Sequence, residues 1–135
     1  MNLFVNISVL IGFLAGSAIV AAAPEVDRYV ITTDTMNMEP VEDLEVTSFQ
    51  NERMYILTYW KGLEPKKTYE VKFEIYDAMN SKRASFSDVM RSSNTEDRTI
   101  LRYIFKPGED FPGDWVVKVF LNSDFKDEKQ IYVYE

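Results

Sequence analysis

The chain of 135 residues contains no cysteine and no histidine. Without cysteine there is no disulfide framework, no thiol nucleophile and no thiol to carry a lipid on the N-terminal segment. Without histidine there is no imidazole base, and the two absences together exclude every zinc site built on His or Cys. Ser-His-Asp and Cys-His catalytic pairs are excluded with them. Basic residues are in deficit: 15 Lys and Arg against 22 Asp and Glu give a net charge of −7. A nucleic-acid binder needs a basic stripe that releases phosphate counterions, so the charge balance argues against nucleic acid as a partner. Gly and Pro number five each, and 46% of residues are hydrophobic, which describes a globular chain and not a disordered or collagen-like one. This length suits one domain.

Charge is missing altogether from residues 1–23, MNLFVNISVLIGFLAGSAIVAAA. The apolar run from Ile7 to Val20 ends in small residues, the layout of a secretory signal peptide. Val20-Ala21-Ala22 sets a small residue at the scissile position, so cleavage is expected after Ala22. Cutting one residue later would leave Pro24 directly past the bond, where its ring obstructs extended binding to a peptidase. No Lys or Arg precedes the apolar run, which is atypical. The rival reading is an uncleaved anchor, since the run approaches the ~20 residues that span a bilayer. The expectation is a signal-peptide helix over 1–22 and a single domain over 23–135, periplasmic or secreted, meeting a membrane only through that leader. An exported chain without disulfides must be held by packing, and a mature length of roughly 110 residues can bury about two thirds of its unfolded surface. Residues 23–135 also lack an Asn-x-Ser/Thr acceptor. Both features fit a bacterial periplasm better than a eukaryotic secretory route.

The remainder reads as strands. Tyr69, Val71, Phe73 and Ile75 alternate with Glu70, Lys72 and Glu74, the period-two pattern of a strand with one buried and one wet face. Arg53–Trp60 is apolar on both faces, as a doubly covered strand would be, and Trp115–Leu121 is similar apart from Lys118. Further strands are expected at Val26–Thr32, Leu44–Phe49, Arg83–Met90, Thr99–Phe105 and Phe125–Tyr134. Turns are expected at Lys61-Gly62, at Asp77–Asn80, at Pro112-Gly113 as a type II pair, and at Asn122-Ser123 closing a tight hairpin, with a polar loop over 91–97. Strands at about 8–12-residue spacing indicate an all-β sandwich or barrel. The two doubly apolar strands favour a sandwich, as inner members of facing sheets.

From Gly62 to Val133 the chain resembles bacterial Ig-like or fibronectin-III-like β-sandwich domains of secreted proteins. The residues that carry the likeness are Gly62-Leu63-Glu64-Pro65, the alternating Tyr69–Tyr76 run, Phe111-Pro112-Gly113-Asp114-Trp115, and the closing hairpin Val119–Val133. The resemblance implies an Ig-like antiparallel sandwich of about 7–8 strands. It says little about activity, because its Gly, Pro and Trp serve turns and core.

Candidate chemistry is sparse. Asp110 and Asp114 flank Pro112-Gly113 and are the best carboxylate pair, though Asp beside a turn is ordinarily a backbone hydrogen-bond acceptor. Ser81-Lys82 lies in a turn where adjacent side chains diverge. No nucleophile, base and stabiliser come together, so the chain is not expected to be an enzyme and no cofactor is implied. The acidic segment 34–43 contains Asp34, Met36, Met38 and Glu39, whose oxygens suit Ca²⁺ and whose thioethers suit Cu(I). Its spacing matches no Ca²⁺ loop, and the ordinary reading is a solvated connection with Met residues capping the core edge. Asp77, Asp124 and Asp127 have turn roles available.

The best-motivated surface is aromatic. With Trp115, Val117, Val119 and Leu121 facing inward, Phe120 faces outward, and Tyr132 and Tyr134 do so on the neighbouring strand. Tyr55 and Tyr59 make a second row. Such a face binds proteins or stacks on sugar rings, while the alternative is that an N-terminal strand covers one row. The expectation is a non-catalytic binding module for a protein or glycan, with one contiguous patch holding Phe120, Tyr132 and Tyr134. The alternative is a small-ligand or metal carrier using 34–43.

Overall fold

The computed structural model describes residues 23–135, so the expected leader over 1–22 lies outside the described residues. Seven strands of eight or more residues alternate with turns: β1 (Glu25–Thr32), β5 (Arg53–Lys61), β6 (Thr68–Tyr76), β7 (Lys82–Arg91), β8 (Asp97–Ile104), β9 (Gly113–Leu121) and β10 (Asp124–Tyr134). Three short strands lie between β1 and β5: β2 (Thr35–Met36), β3 (Glu39–Pro40) and β4 (Val46–Ser48). They form a five-stranded sheet ordered β4-β10-β9-β6-β7, a three-stranded sheet ordered β1-β5-β8, and the two-stranded ladder β2-β3. The all-β sandwich expected from periodicity is what the chain adopts, with β5 and β9 central in opposite sheets. Among the described residues all ladders are antiparallel except β4 on β10.

Alternation explains the core. Tyr69, Val71, Phe73 and Ile75 of β6 and Trp115, Val117, Val119 and Leu121 of β9 are buried from the large sheet. Tyr29 and Ile31 of β1 and Met54, Ile56 and Trp60 of β5 meet them from the small one. Each large apolar side chain so buried contributes about 1.5–3 kcal/mol. At one end Trp115 is ringed edge-to-face by Tyr103, Phe105 and Phe49 at 5.8, 5.6 and 6.2 Å, and its indole N–H donates to the Phe111 carbonyl at 2.7 Å. The Tyr29 hydroxyl crosses between the layers to the Val117 carbonyl at 2.9 Å, and burial pushes that phenol far above its ordinary pKa.

Several expected boundaries shift for local reasons. Asn122 and Ser123 do close the β9–β10 hairpin, both with positive φ, and the Asn122 side chain accepts from the Glu70 N–H at 2.8 Å. Pro112-Gly113 is not a turn: Gly113 opens β9, and the chain instead turns at Pro107-Gly108-Glu109, where Gly108 has φ +84°. The strand expected over Leu44–Phe49 is only three residues long, because the Leu44 N–H is taken by the Ile31 carbonyl and Phe49 begins a 3-10 turn capped by Ser48. β4 therefore runs beside β10 as an edge and does not cover Tyr132 or Tyr134.

Beneath the β6–β7 turn lies a buried polar knot. Asp110 accepts from the Tyr103 hydroxyl at 2.9 and 3.0 Å, from Arg83 Nε at 2.7 Å and from the Lys106 N–H at 2.7 Å. Asp77 accepts from the Met79 and Ser81 N–H groups and turns its other oxygen toward Arg83 at 4.0 Å. The knot ties the 105–112 segment to β7. Asp114, by contrast, lies on the outer face opposite Tyr132. Asp110 and Asp114 therefore share no space, and the carboxylate pair suggested by the sequence does not form.

Candidate functional site

The outer face of the three-stranded sheet is crossed by the segment that leaves Thr32. Register places Arg28, Tyr59 and Arg98 side by side in one row, Val30, Leu57 and Ile100 in the next, and Thr32, Tyr55 and Arg102 in a third. Val30 and Leu57 are fully buried although they point away from the main core. That accounts for β5 being apolar on both faces in sequence. Residues 33–43 form a strap against this face. The Val41 N–H donates to the Asp34 carbonyl at its base, and Asn37 and Met38 turn its tip at positive φ. Glu42 locks the base, accepting from the Thr32 hydroxyl and Thr33 N–H at 3.0 Å and from the Thr33 hydroxyl. These bonds, chiefly those from Thr33, hold the Glu42 carboxyl below its usual pKa.

Glu39 makes the second attachment. Its carboxylate accepts from the Tyr59 hydroxyl at 2.7 Å and pairs with the Arg98 guanidinium. The Tyr59 hydrogen bond first, and then Arg98, holds Glu39 below the ordinary carboxylate range; partial burial and Glu39 raise Tyr59. Arg28 lies over the Tyr59 ring at 5.3 Å, a cation–π distance. Beside this row opens a concavity of about 480 Å³ whose walls include Tyr59, Trp60, Arg98, Asp27, Asn94 and Asp97. Two stretches that sequence reading treated as rival sites, the acidic Met segment and the Tyr55/Tyr59 row, thus meet on one face. The strap's acidic groups diverge: Asp34 caps its own Thr35 N–H, Glu39 turns to Tyr59 and Arg98, and Glu42 turns to Thr32 and Thr33. Met36 and Met38 project into solvent at 68% and 60% exposure and cap no core edge.

The other aromatic candidates separate. Tyr132 and Tyr134 are about half exposed on β10, next to the equally exposed Val46 of β4. Phe120 lies six residues along β9 from Asp114, the partner of Tyr132, a distance of roughly 20 Å at ~3.3 Å per residue. Phe120 instead meets Phe125 edge-to-face at 5.8 Å and carries Lys72 Nζ 4.9 Å above its ring. Between these two ends the face is polar: Lys118 lies over Tyr76, and Lys72 and Lys82 bracket Glu74. The contiguous patch expected from alternation alone is thus two patches. Arg28 and Arg98 were missed as partners of Tyr59. Their only sequence signal is one cation on each of two strands, without register to bring them together.

The architecture is shared with solved structures. An immunoglobulin-like protein from Pseudomonas aeruginosa superposes with a TM-score of 0.53, covering 84% of this chain and 98% of that one at 13% identity. The fold is immunoglobulin-like. An alkylpurine DNA glycosylase from Pseudomonas fluorescens, solved bound to DNA containing an abasic site analog, contains a similar region, with a TM-score of 0.56 and 12% identity. That match covers 82% of this chain but 30% of the glycosylase. No protein-family model and no curated protein matches the chain. At these identities the likeness concerns architecture, and activity has to be argued from the site.

Proposed function

We propose that this chain is an exported, non-catalytic binding module that holds a protein or glycan ligand at the strapped face of its small sheet, in the concavity beside Tyr59. The observation that carries the reading is that concavity: the Tyr59 ring and Arg98 stand with Asp27, Asn94, Glu96 and Asp97 around one open space of about 480 Å³, with the buried Trp60 behind its wall. An aromatic ring beside convergent polar and charged side chains can orient a polar ligand, with the ring supplying apolar contact and the polar groups specificity. Of the carboxylates considered for catalysis, Asp110 is engaged in the knot beneath the β6–β7 turn and Asp114 lies apart from it on the outer face of the large sheet.

The test is a screen of the purified protein, as its expression host processes it, against arrayed glycans and extended peptides. Tyr59→Ala and Asn94→Ala serve as paired controls. A ligand bound by the parent and weakened about tenfold or more by both substitutions, with melting temperature held, supports the reading. Ligands that bind all three proteins equally place recognition elsewhere, with the Tyr132/Tyr134/Val46 patch the next surface to alter. Export is tested by N-terminal sequencing of the processed protein, expected to begin at Ala23.

A further inference from the structure

Glu39 is held as the carboxylate of a bound ligand would be. Its two oxygens are engaged by different groups, the Tyr59 hydroxyl at 2.7 Å and the Arg98 guanidinium, which stand on adjacent strands of a continuous ladder. Arg28, on the third strand of the same row, covers the Tyr59 ring and forms no ion pair among the described residues. Lys61 nearby is already matched by Glu25 and Asp27. Two guanidinium groups therefore stand in the row that receives Glu39, while Asp27, Glu96 and Asp97 line the concavity beside it. The receiving groups belong to strands of eight and nine residues, whereas Glu39 is presented by a two-residue strand next to a turn in which Met38 adopts φ +62°. A bulky side chain is disfavoured in that left-handed region, so the occupant is less firmly specified than its receptor.

We infer that Arg28, Tyr59 and Arg98 form a carboxylate receptor, that Glu39 fills it in the free protein, and that an acidic segment of a partner protein exchanges for Glu39. A peptide is the class indicated because the present occupant is one, a glutamate carried over the sheet by a short hairpin. A glutamate or aspartate is indicated by the geometry, since guanidinium and phenol donors match the two oxygens of a carboxylate. The inference rests on the strapped face being the binding surface and adds the ligand's chemistry.

The experiment uses the protein, Glu39→Ala and Glu39→Ala/Arg98→Ala. Each is titrated with sodium propionate against sodium chloride at equal ionic strength while the amide and arginine Nε–H signals are followed by NMR. A second probe is the heptapeptide of residues 35–41, Thr-Met-Asn-Met-Glu-Pro-Val, beside a version with Gln in place of Glu. Expected are saturable shifts at Arg28, Tyr59 and Arg98 in Glu39→Ala, absent with chloride and absent in the double variant. Both probes should bind the parent protein about tenfold more weakly or less, because Glu39 competes. The Gln peptide should bind no variant. If Glu39→Ala disorders the strap, Glu39→Gln keeps its volume and takes its place. Shifts elsewhere, equal shifts with chloride, or equal binding of the Glu and Gln peptides would overturn the proposal. A neutral ligand that binds beside Tyr59 and is indifferent to carboxylate would leave the binding-module reading standing and remove only this one.

Discussion

A methyl group on Gly113 would sit 2.5 Å from the Cβ of Ala78. The β6–β7 turn presses on the first residue of β9 at a place where only a hydrogen side chain fits, and Gly113 also has φ +131°. Gly113→Ala should destabilise the fold by about 2–4 kcal/mol, from contact and backbone strain together. Urea denaturation measures it. Adding Ala78→Gly should recover the contact part and leave the backbone part, a coupling that a double-mutant cycle isolates.

The knot around Asp110 predicts a steeper loss. Asp110→Ala strands the Tyr103 hydroxyl and the Lys106 N–H and removes the nearest partner of Arg83, which keeps Glu109 at 3.4 Å and Asp77 at 4.0 Å. Because Arg83 is partly solvated, the expected cost is about 3 kcal/mol, at the lower end for a broken buried pair. Tyr103→Phe removes one donor of several and should cost about 1 kcal/mol. A larger loss from Tyr103→Phe than from Asp110→Ala would mean that the carboxylate does not organise this end.

Acid should release the strap. Glu42 and Glu39 both titrate below their ordinary values in the folded protein, Glu42 through the Thr33 bonds and Glu39 through Tyr59 and Arg98. A depressed folded pKa means that the attachment is complete above the unfolded value near 4.3 and is lost as pH falls through the folded one. NMR of residues 33–43 should therefore change below about pH 4. Thr33→Val should move the Glu42 midpoint upward.

The edge of β7 yields a prediction about association. β7 pairs with β6 along one side, and no described strand occupies the other. Asp88 lies opposite the core residue Val71, so it points to the inner side of an exposed edge, a placement that discourages pairing with another chain. Asp88→Val should strengthen self-association about tenfold or more, whereas Asp88→Lys should leave it unchanged. Sedimentation velocity distinguishes the two.

Much of this fold was legible from spacing. Tyr69 to Ile75 announced their buried face, and Asn122-Ser123 announced its hairpin, because both signals are local. Pro112-Gly113 misled because a glycine serves two purposes. It can turn the chain or admit a neighbour, and Ala78 lies 35 residues away in sequence. Phe120 and Tyr132 were joined in expectation since both face outward. Only the register, Asp114 opposite Tyr132, shows them far apart. The Glu39–Arg98 pair spans 59 residues and three strands' worth of alignment, which no short-range pattern encodes. The site was readable as residue types and unreadable as an assembly.

The two tryptophans offer an unplanned instrument. Trp60 belongs to the small sheet and Trp115 to the large one, both shielded from water and both with indole N–H bonds, to Thr99 at 3.3 Å and to the Phe111 carbonyl. Replacing one at a time with Phe leaves a single fluorophore per layer. Emission colour then reports which half of the molecule loosens first when it is heated, acidified or loaded.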